Sequence, residues 1–150
     1  MTPRLGDQFP PKYREDLCKS HLIKGAVLRT YVEETVPPKI KLFVIWGMEE
    51  SFNKIGVSFI NSDIAYIRNK WLRDLQHPLL SRNNPFLTHD SFLDCSRIYE
   101  KNFKVVRDLF IEDIDIFLGN ISHGDLLASE DIIRDAKTIE LKLKRRYGFI

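Results

Sequence analysis

Residues Lys39–Gly47 read KIKLFVIWG, a segment that begins with alternating lysines and apolar residues and then becomes continuously apolar. A continuous apolar run of this length is typical of a strand that is buried on both faces. The turn-forming stretch MEESFN follows, and a second apolar segment, KIGVSFINS, covers Lys54–Ser62. Because the connection is short, we expect the two segments to pair as an antiparallel hairpin in the middle of a sheet.

The overall composition is that of a folded chain with a single domain, 1–150. The chain has 150 residues, of which 43% are hydrophobic and 11% are aromatic. A chain of this length can bury a core without disulfides or metal ions, and its aromatic content excludes a disordered protein. The formal net charge of +2 excludes an acidic solvating protein and is too small, as a total, to indicate a nucleic-acid binder.

The sequence predicts a cytoplasmic protein that contacts no membrane and needs no cofactor. No run approaches the roughly 18 apolar residues that a membrane span requires. The N-terminal residues lack the apolar core of a secretory signal. Cys18 and Cys95 lie far apart in the chain, without a second cysteine at metal-ligand spacing, so we expect two free thiols.

Before and after the hairpin, the pattern predicts further strands and one inserted helix. Residues 1–20 are polar and proline-rich, which indicates a loosely ordered arm with one helical turn, and 21–34 predict a strand with a bulge near Gly25. Apolar residues at helical spacing predict a helix at about 65–79, closed by Pro78. A further strand is expected over 86–99.

The last third of the chain predicts one ambiguous segment and two helices. Residues 105–119 fit a strand or a helix, and alternating aspartates favour a strand in the second half. Ser122, with Asp125 three residues later, resembles a capping box, and Ser129 predicts the cap of a second helix that runs to about Lys144. The order of elements predicts a mainly β, α+β fold: a small antiparallel barrel over 21–120 with C-terminal helices over 122–146.

The densest polar cluster is the sequence His89-Asp90-Ser91, followed closely by Asp94, Ser96 and Arg97. It supplies a possible base, carboxylates, hydroxyls and a cation. No Gly-rich phosphate loop, nucleophile elbow or zinc-protease motif accompanies it, and the four histidines are scattered, so metal catalysis is not expected. The alternative interpretation is a polar loop that enters a strand, with Asp90 and Ser91 making turn hydrogen bonds.

A second candidate is the lysine pair Lys39 and Lys41, which share one face at the entrance of the buried strand. Asn61 and Ser62 end the partner strand nearby. Lysines at such a position commonly protect a sheet edge. They could also hold a fixed positive charge against a phosphate group.

A third candidate is the basic C-terminal run Lys137, Lys142, Lys144, Arg145 and Arg146. Cations near the end of a helix interact favourably with its dipole. Together with Tyr147 and Phe149, they could also contact nucleic acid or an acidic partner. Because residues 108–135 are rich in acidic side chains, the near-neutral total conceals an uneven charge distribution.

The order of these segments resembles the PemK/MazF toxin family, the Kid/MazF/CcdB-type barrels. The similar segments are Lys41–Gly47, Ile60–Ser62, Asp90–Arg97 and the closing pattern Leu118–Leu126. An opening Gly-Asp pair is matched by Gly6-Asp7. The chain departs from the family at the strand entrance, where the usual Arg-Pro is Lys41-Leu42.

The resemblance implies a small antiparallel SH3-like barrel, usually a homodimer, that cuts single-stranded RNA without a metal ion. It also implies the toxin role of a type II toxin–antitoxin pair and therefore an antitoxin partner. Lys41 would take the arginine place as phosphate stabiliser or acid, Ser62 or Asn61 would supply the donor, and Asp94 would supply the carboxylate. The remaining residues expected at the substrate are Lys39, His89, Ser91 and Arg97.

Two other functions compete with the toxin interpretation. The first is a non-catalytic nucleic-acid- or protein-binding module of the same fold, from a mobile element or defence locus, that binds through Lys142, Lys144, Arg145 and Arg146. The missing Arg-Pro pair and the basic C-terminal run favour it. The second is a poison of a protein target such as a topoisomerase.

Overall fold

A curled antiparallel sheet, close to a half-barrel, carries helices on both of its faces, and the α+β prediction is confirmed. The computed structural model describes residues 10–34 and 36–150. The strands are β1 (Ala26–Val32), β2 (Lys39–Glu49), β3 (Lys54–Asn61), β4 (Gln76–Leu79), β5 (Ser91–Asp94), β6 (Tyr99–Asn102) and β7 (Phe117–Asn120). The helices are α1 (Pro11–His21), α2 (Lys70–Arg73), α3 (Phe103–Glu112), α4 (His123–Asp135) and α5 (Leu141–Arg146). The strand order is β4-β5-β3-β2-β1-β7, and β6 also pairs with β3.

The predicted hairpin of β2 and β3 lies at the centre of the sheet. Leu42 pairs with Ile60 and Phe43 with Phe59, in antiparallel register. The connection is a short 3-10 turn, Glu50–Phe52, after which Asn53 takes the left-handed conformation with φ 52°.

Alternate residues of β2 enter two separate core clusters, because successive side chains of a strand point to opposite faces. Phe43 and Ile45 face the cluster that α1 and α3 cover, whereas Val44 and Trp46 face the cluster that α4, α5 and the C-terminal residues cover. Both faces of the central strand are therefore buried, as its continuous apolar run predicts.

In the N-terminal half, the predicted loosely ordered arm is wrong in its described part, and the predicted strand is confirmed over a shorter range, Ala26–Val32. Within the predicted arm, residues 1–9 lie outside the described residues, but α1 is an 11-residue helix whose Cys18 and the following Leu22 are buried in the core. The strand predicted over 21–34 begins only at Ala26, and Gly25 before it has φ +92°. α1 forms because its buried side chains pack against α3, a contact between segments far apart in the chain.

The helix predicted over about 65–79 is also wrong. Only the single turn of α2 is helical, begun by an Asn69 side chain that accepts the amide of Trp71. Trp71 is 52% exposed, so no apolar surface holds this segment as a longer helix. Gln76–Leu79 instead form the edge strand β4, where Pro78 is tolerated because an edge strand does not need every amide.

The strand predicted over 86–99 and the ambiguous segment 105–119 are each divided in the structure. The first contains β5 and ends at Tyr99, where β6 begins; the two strands pair with different parts of β3. The second begins in α3, where Val106 and Phe110 lie four residues apart and are buried. In its second half, the alternating residues that favoured a strand form a 3-10 turn, Ile114–Ile116, and the predicted strand begins only at Phe117, in β7.

The predicted helix cap at Ser122 is confirmed, because its side chain accepts the amide of Asp125. The reciprocal bond of a capping box is absent, since the amide of Ser122 donates to Asn84. Ser129 caps nothing and lies buried inside α4. The side chain of Ser122 already accepts a backbone amide at the start of the helix. The helix then continues past Ser129 because Leu126 and Ile133 both pack on the core. A separate helix, α5, follows. None of the described helices is long and apolar enough to cross a membrane.

Asp125 also joins α4 to the loop after β4. Its Oδ1 lies 2.8 Å from Nε2 of His77, and its Oδ2 accepts Nδ2 of Asn84 at 2.8 Å and the hydroxyl of Ser122 at 2.6 Å. Partial burial raises the pKa of Asp125, but these three hydrogen bonds outweigh it and hold the pKa below its usual value. The network is a polar clamp between the sheet edge and α4.

Candidate functional site

A cavity of about 310 Å³, here called the aspartate cavity, lies at the start of β2. It brings together three residues to which the sequence assigns catalytic roles, Lys41, Ser62 and Asp94. Lys39 and Asn61 line it as well. The remaining lining residues are Glu34, Val36, Phe59, Asp63, Tyr66 and Tyr99. These five predicted residues are therefore neighbours in the fold, and their roles stay predictions.

The strand register explains why these side chains meet. Leu42 pairs with Ile60, and Ile60 pairs with Leu93, so the three lie side by side on the face covered by α4 and α5. The residue next to each in the chain faces the opposite side of the sheet. Those neighbours are Lys41, Asn61 and Asp94.

Lys41 is half-buried, and its ammonium donates a hydrogen bond to Oδ1 of Asn61. The ammonium also lies 5.7 Å from the centre of the Phe59 ring. Burial lowers the pKa of Lys41, the nearby charge of Lys39 lowers it further, and the carboxylate of Asp94 acts in the opposite direction. The ammonium of Lys41 is therefore a stronger acid than that of an ordinary lysine.

The carboxylate of Asp94 is held in one orientation. Its Oδ1 accepts Nε2 of Gln76 at 2.9 Å, the amide of Ser96 at 3.0 Å and the hydroxyl of Ser96 at 2.5 Å. Within residues 10–34 and 36–150, Oδ2 makes no hydrogen bond. The arrangement leaves one oriented oxygen that can accept a proton.

Of the other two carboxylates of the aspartate cavity, Glu34 accepts the ammonium of Lys101 at 2.5 Å, and Oδ1 of Asp63 accepts the amide of Ala65 at 2.8 Å. Asp94 is the carboxylate whose charge acts on Lys41, so it is the one that faces a ligand beside this lysine.

A second cavity, of about 410 Å³ and here called the histidine cavity, lies on the other side of the same lysines. Lys39, Lys41 and Ser62 line both cavities. Two further predicted residues, His89 and Ser91, line the histidine cavity only. Its other lining residues are Arg29, Ile40, Leu42, Ile60, Phe86, Leu87, Thr88 and Leu118.

The segment around His89 has features of both predicted alternatives, the polar loop with turn hydrogen bonds and the cluster of side chains at a site. Asp90 accepts the amide and the hydroxyl of Ser81 at 2.8 and 3.0 Å, and the buried Ser91 donates its hydroxyl to the carbonyl of His89 at 3.1 Å. These are local turn contacts. His89 itself is exposed beside the cavity, and its Nδ1 lies 3.0 Å from the hydroxyl of Thr88.

Arg97 lines neither cavity. Its guanidinium stacks over the ring of Tyr99, 5.3 Å from the ring centre, and donates to the Tyr99 hydroxyl at 3.1 Å. Because Tyr99 lines the aspartate cavity, Arg97 lies next to that cavity without forming part of its wall.

The basic C-terminal run is not one binding surface. Lys144 is 5% exposed, and its ammonium donates to the carbonyls of Arg134 at 2.8 Å and Ala136 at 2.7 Å, at the end of α4. Arg146 donates to Glu100 at 2.5 Å. The predicted nucleic-acid-binding role of Lys144 and Arg146 is therefore corrected. Both cations make structural contacts within the fold, because α5 packs one side against the core.

Of the four predicted C-terminal cations, Lys142 and Arg145 are exposed. Tyr147 and Phe149, the aromatic residues considered for nucleic-acid contact, are buried. Phe149 packs edge-to-face against Trp46 at 5.4 Å. Tyr147 and Phe149 are therefore part of the core and are not available to stack on a nucleic acid.

Two residues were not identified from the sequence: Gln76, which holds a residue of the aspartate cavity, and Arg29, which lines the histidine cavity. Gln76 orients Asp94, but the helix predicted over about 65–79 concealed the strand pairing that brings them together. Arg29 lies on β1 opposite Leu42 and reaches the histidine cavity through that register. The signal available in the sequence was a charged residue in the middle of a segment that predicts a strand.

The described residues contain no group of three His, Cys, Asp or Glu side chains that could hold a metal ion. Cys18 and Cys95 are free thiols, as predicted. Burial raises the pKa of Cys18 to about 11 and that of Cys95 to about 12, so both stay protonated near neutral pH.

In comparisons with known proteins, no family model matches the chain, and no curated protein matches it significantly. The chemistry of the two cavities is therefore the basis for assigning a function.

Proposed function

We propose that this protein is a metal-independent endoribonuclease that cuts single-stranded RNA in the aspartate cavity. The observation that carries the proposal is the meeting of Lys41, Ser62 and Asp94 at one cavity, with Lys41 bonded to Asn61. A proton acceptor, a proton donor and hydrogen-bond donors for a phosphate are the groups that this reaction needs.

In the proposed reaction, the 2′-hydroxyl oxygen of the RNA attacks the adjacent phosphorus. The unpaired Oδ2 of Asp94 accepts the hydroxyl proton as the new P–O2′ bond forms. The P–O5′ bond breaks, and the ammonium of Lys41 supplies the proton to the leaving O5′. The products are a 2′,3′-cyclic phosphate and a free 5′-hydroxyl, so no water or redox partner is consumed.

Asn61 and Ser62 assist this step from the end of β3. Asn61 holds the Lys41 ammonium, and the exposed Ser62 hydroxyl is available to a phosphate oxygen. Lysine acts here as a point charge, whereas the arginine of the PemK/MazF pattern would make a two-pronged contact.

The test is cleavage of single-stranded RNA by the purified protein in the presence of a chelator. Lys41→Ala and Asp94→Asn should each reduce the rate about 100-fold or more, and the wild type should leave 2′,3′-cyclic phosphate ends. Arg68→Ala removes an exposed cation outside both cavities and should cleave as the wild type does. A wild type that leaves RNA intact, or a Lys41→Ala variant with full activity, would exclude the reaction.

The wider biological role is proposed from the resemblance of segments 41–47, 60–62, 90–97 and 118–126 to PemK/MazF toxins. On this proposal the curled sheet corresponds to an SH3-like barrel, and the protein is a cytoplasmic homodimer held inactive by an antitoxin. Expression in cells should then arrest growth, and Asp94→Asn should relieve the arrest. Growth arrest with intact RNA would instead favour a poison of a protein target.

A second candidate function is a binding module that holds nucleic acid without cutting it. The observation that favours it is the Lys41-Leu42 pair at the strand entrance, where the toxin pattern has Arg-Pro. Binding of RNA that survives Asp94→Asn, together with no cleavage by the wild type, would support this module.

A further inference from the structure

The histidine cavity differs from the aspartate cavity in its charge. Arg29, Lys39 and Lys41 line it, and among the described residues no carboxylate does. The nearest acidic residue in sequence, Asp90, is held by Ser81. Such a wall attracts an anion.

Two cations of this wall are free to bind a ligand. Arg29 and Lys39 are exposed and make no ion pair or hydrogen bond with the described residues. Lys41 is instead held by Asn61, and the carboxylate of Asp94 acts on its charge. A cation that is not neutralised within its own chain keeps its full charge for a phosphate group.

The rest of the histidine cavity is suited to a group that is both polar and flat. Hydroxyls of Ser62 and Thr88 lie at its wall, and an apolar surface lines the remainder. The apolar contributors are Ile40, Leu42, Ile60, Phe86, Leu87 and Leu118. An aromatic ring beside aliphatic side chains can stack a nucleobase, as in proteins that bind single strands.

We infer that the histidine cavity binds one nucleotide of a single-stranded nucleic acid, with its phosphate at Arg29 and Lys39 and its base against Phe86. This inference rests on the proposed function for the identity of the ligand. Since Lys39, Lys41 and Ser62 line both cavities, a strand that passes over them places the phosphate to be cut at Lys41, with its 2′-hydroxyl toward Asp94, and a neighbouring nucleotide in the histidine cavity.

The experiment measures binding of a fluorescein-labelled, 2′-O-methylated single-stranded RNA by anisotropy. The methyl group blocks attack by O2′, so binding is measured apart from cleavage. Arg29→Ala should weaken binding about tenfold or more, as expected for a lost charged hydrogen bond, and should reduce the slope of log affinity against log salt by about 0.7. Arg29→Glu should weaken binding further.

Three comparisons make the result specific. Arg68→Ala removes the same charge outside both cavities and should bind as the wild type does, and Arg145→Ala tests the exposed end of the basic C-terminal run. Thermal unfolding of Arg29→Ala should match the wild type, because this exposed side chain makes no contact that folding needs.

Unchanged binding by Arg29→Ala and Arg29→Glu would overturn the inference. So would equally tight, Arg29-dependent binding of inorganic polyphosphate, which lacks bases. This outcome can be told apart from failure of the proposed function. RNA binding that depends on Arg29, without any cleavage, would refute the nuclease proposal but not the nucleotide subsite. RNA cleavage and binding that do not change in the Arg29 variants would refute the subsite but not the nuclease.

Discussion

The ring of Tyr147 lies directly over Gly56, so close that a Cβ atom at this glycine would be 2.7 Å from two ring carbons. The ring is buried, and its hydroxyl donates to Glu100 at 2.7 Å. Because the ring is fixed at both ends, it cannot move aside easily. Tyr147 thus closes over the first half of β3.

Gly56→Ala should destabilise the fold by about 1–3 kcal/mol, because the added methyl group overpacks the contact with Tyr147. The free energy of unfolding in urea measures the effect. The matched control is Gly124→Ala, where nothing lies within 4 Å of the added Cβ. Inside α4 that change should be neutral or stabilise by up to about 1 kcal/mol. Equal stabilities for the two variants would contradict the close contact.

Lys144→Met should destabilise the protein by about 1–3 kcal/mol, because it leaves the carbonyls of Arg134 and Ala136 without their donor. Lys142→Met, two residues earlier on an exposed side, should change the unfolding free energy by less than about 0.5 kcal/mol. If the two variants were equally stable, Lys144 would not be serving as the donor at the end of α4.

Asp125→Asn should destabilise the protein by about 1–3 kcal/mol at neutral pH, because three polar partners lose their carboxylate. The folded pKa of Asp125 is lowered, so its stabilising contribution is fully present above the unfolded value of about 3.9. It is lost as the pH falls through the folded pKa. The stability difference between wild type and variant should therefore shrink in acid, which urea unfolding at several pH values measures.

The pKa of Lys41 should respond in opposite directions to its two charged neighbours. Lys39→Ala removes a like charge and should raise that pKa, whereas Asp94→Asn removes an opposite charge and should lower it. An NMR titration of the lysine side chain reads both changes. Arg68→Ala should leave the pKa unmoved, and a shift of the same sign in Lys39→Ala and Asp94→Asn would refute this electrostatic arrangement.

Features decided by local pattern were predictable from the sequence. The hairpin of β2 and β3 follows from continuous apolar runs around a short turn, and the helix start at Ser122 follows from capping chemistry. The meeting of Lys41 with Asn61 is a direct consequence of that hairpin. These parts need no knowledge of distant segments.

Features decided by distant contacts were not predictable. Gln76–Leu79 are a strand because Ser91–Asp94 pair with them, and apolar spacing within the segment alone pointed to a helix. The structural role of Lys144 depends on which side of α5 faces the core. Arg29 joins the histidine cavity only because β1 takes one particular register against β2.

The division of the core into two faces has a consequence for how the molecule opens. Each helical layer touches the sheet from its own side, whereas β2 and β3 contribute to both clusters. One layer can therefore loosen while the other stays packed, and hydrogen exchange should divide the amides into two helical groups of lower protection and one shared group of highest protection. Both cavities lie along β2 and β3, the strands expected to exchange most slowly. The residues of these strands that line the cavities should therefore keep their positions when a helical layer opens transiently.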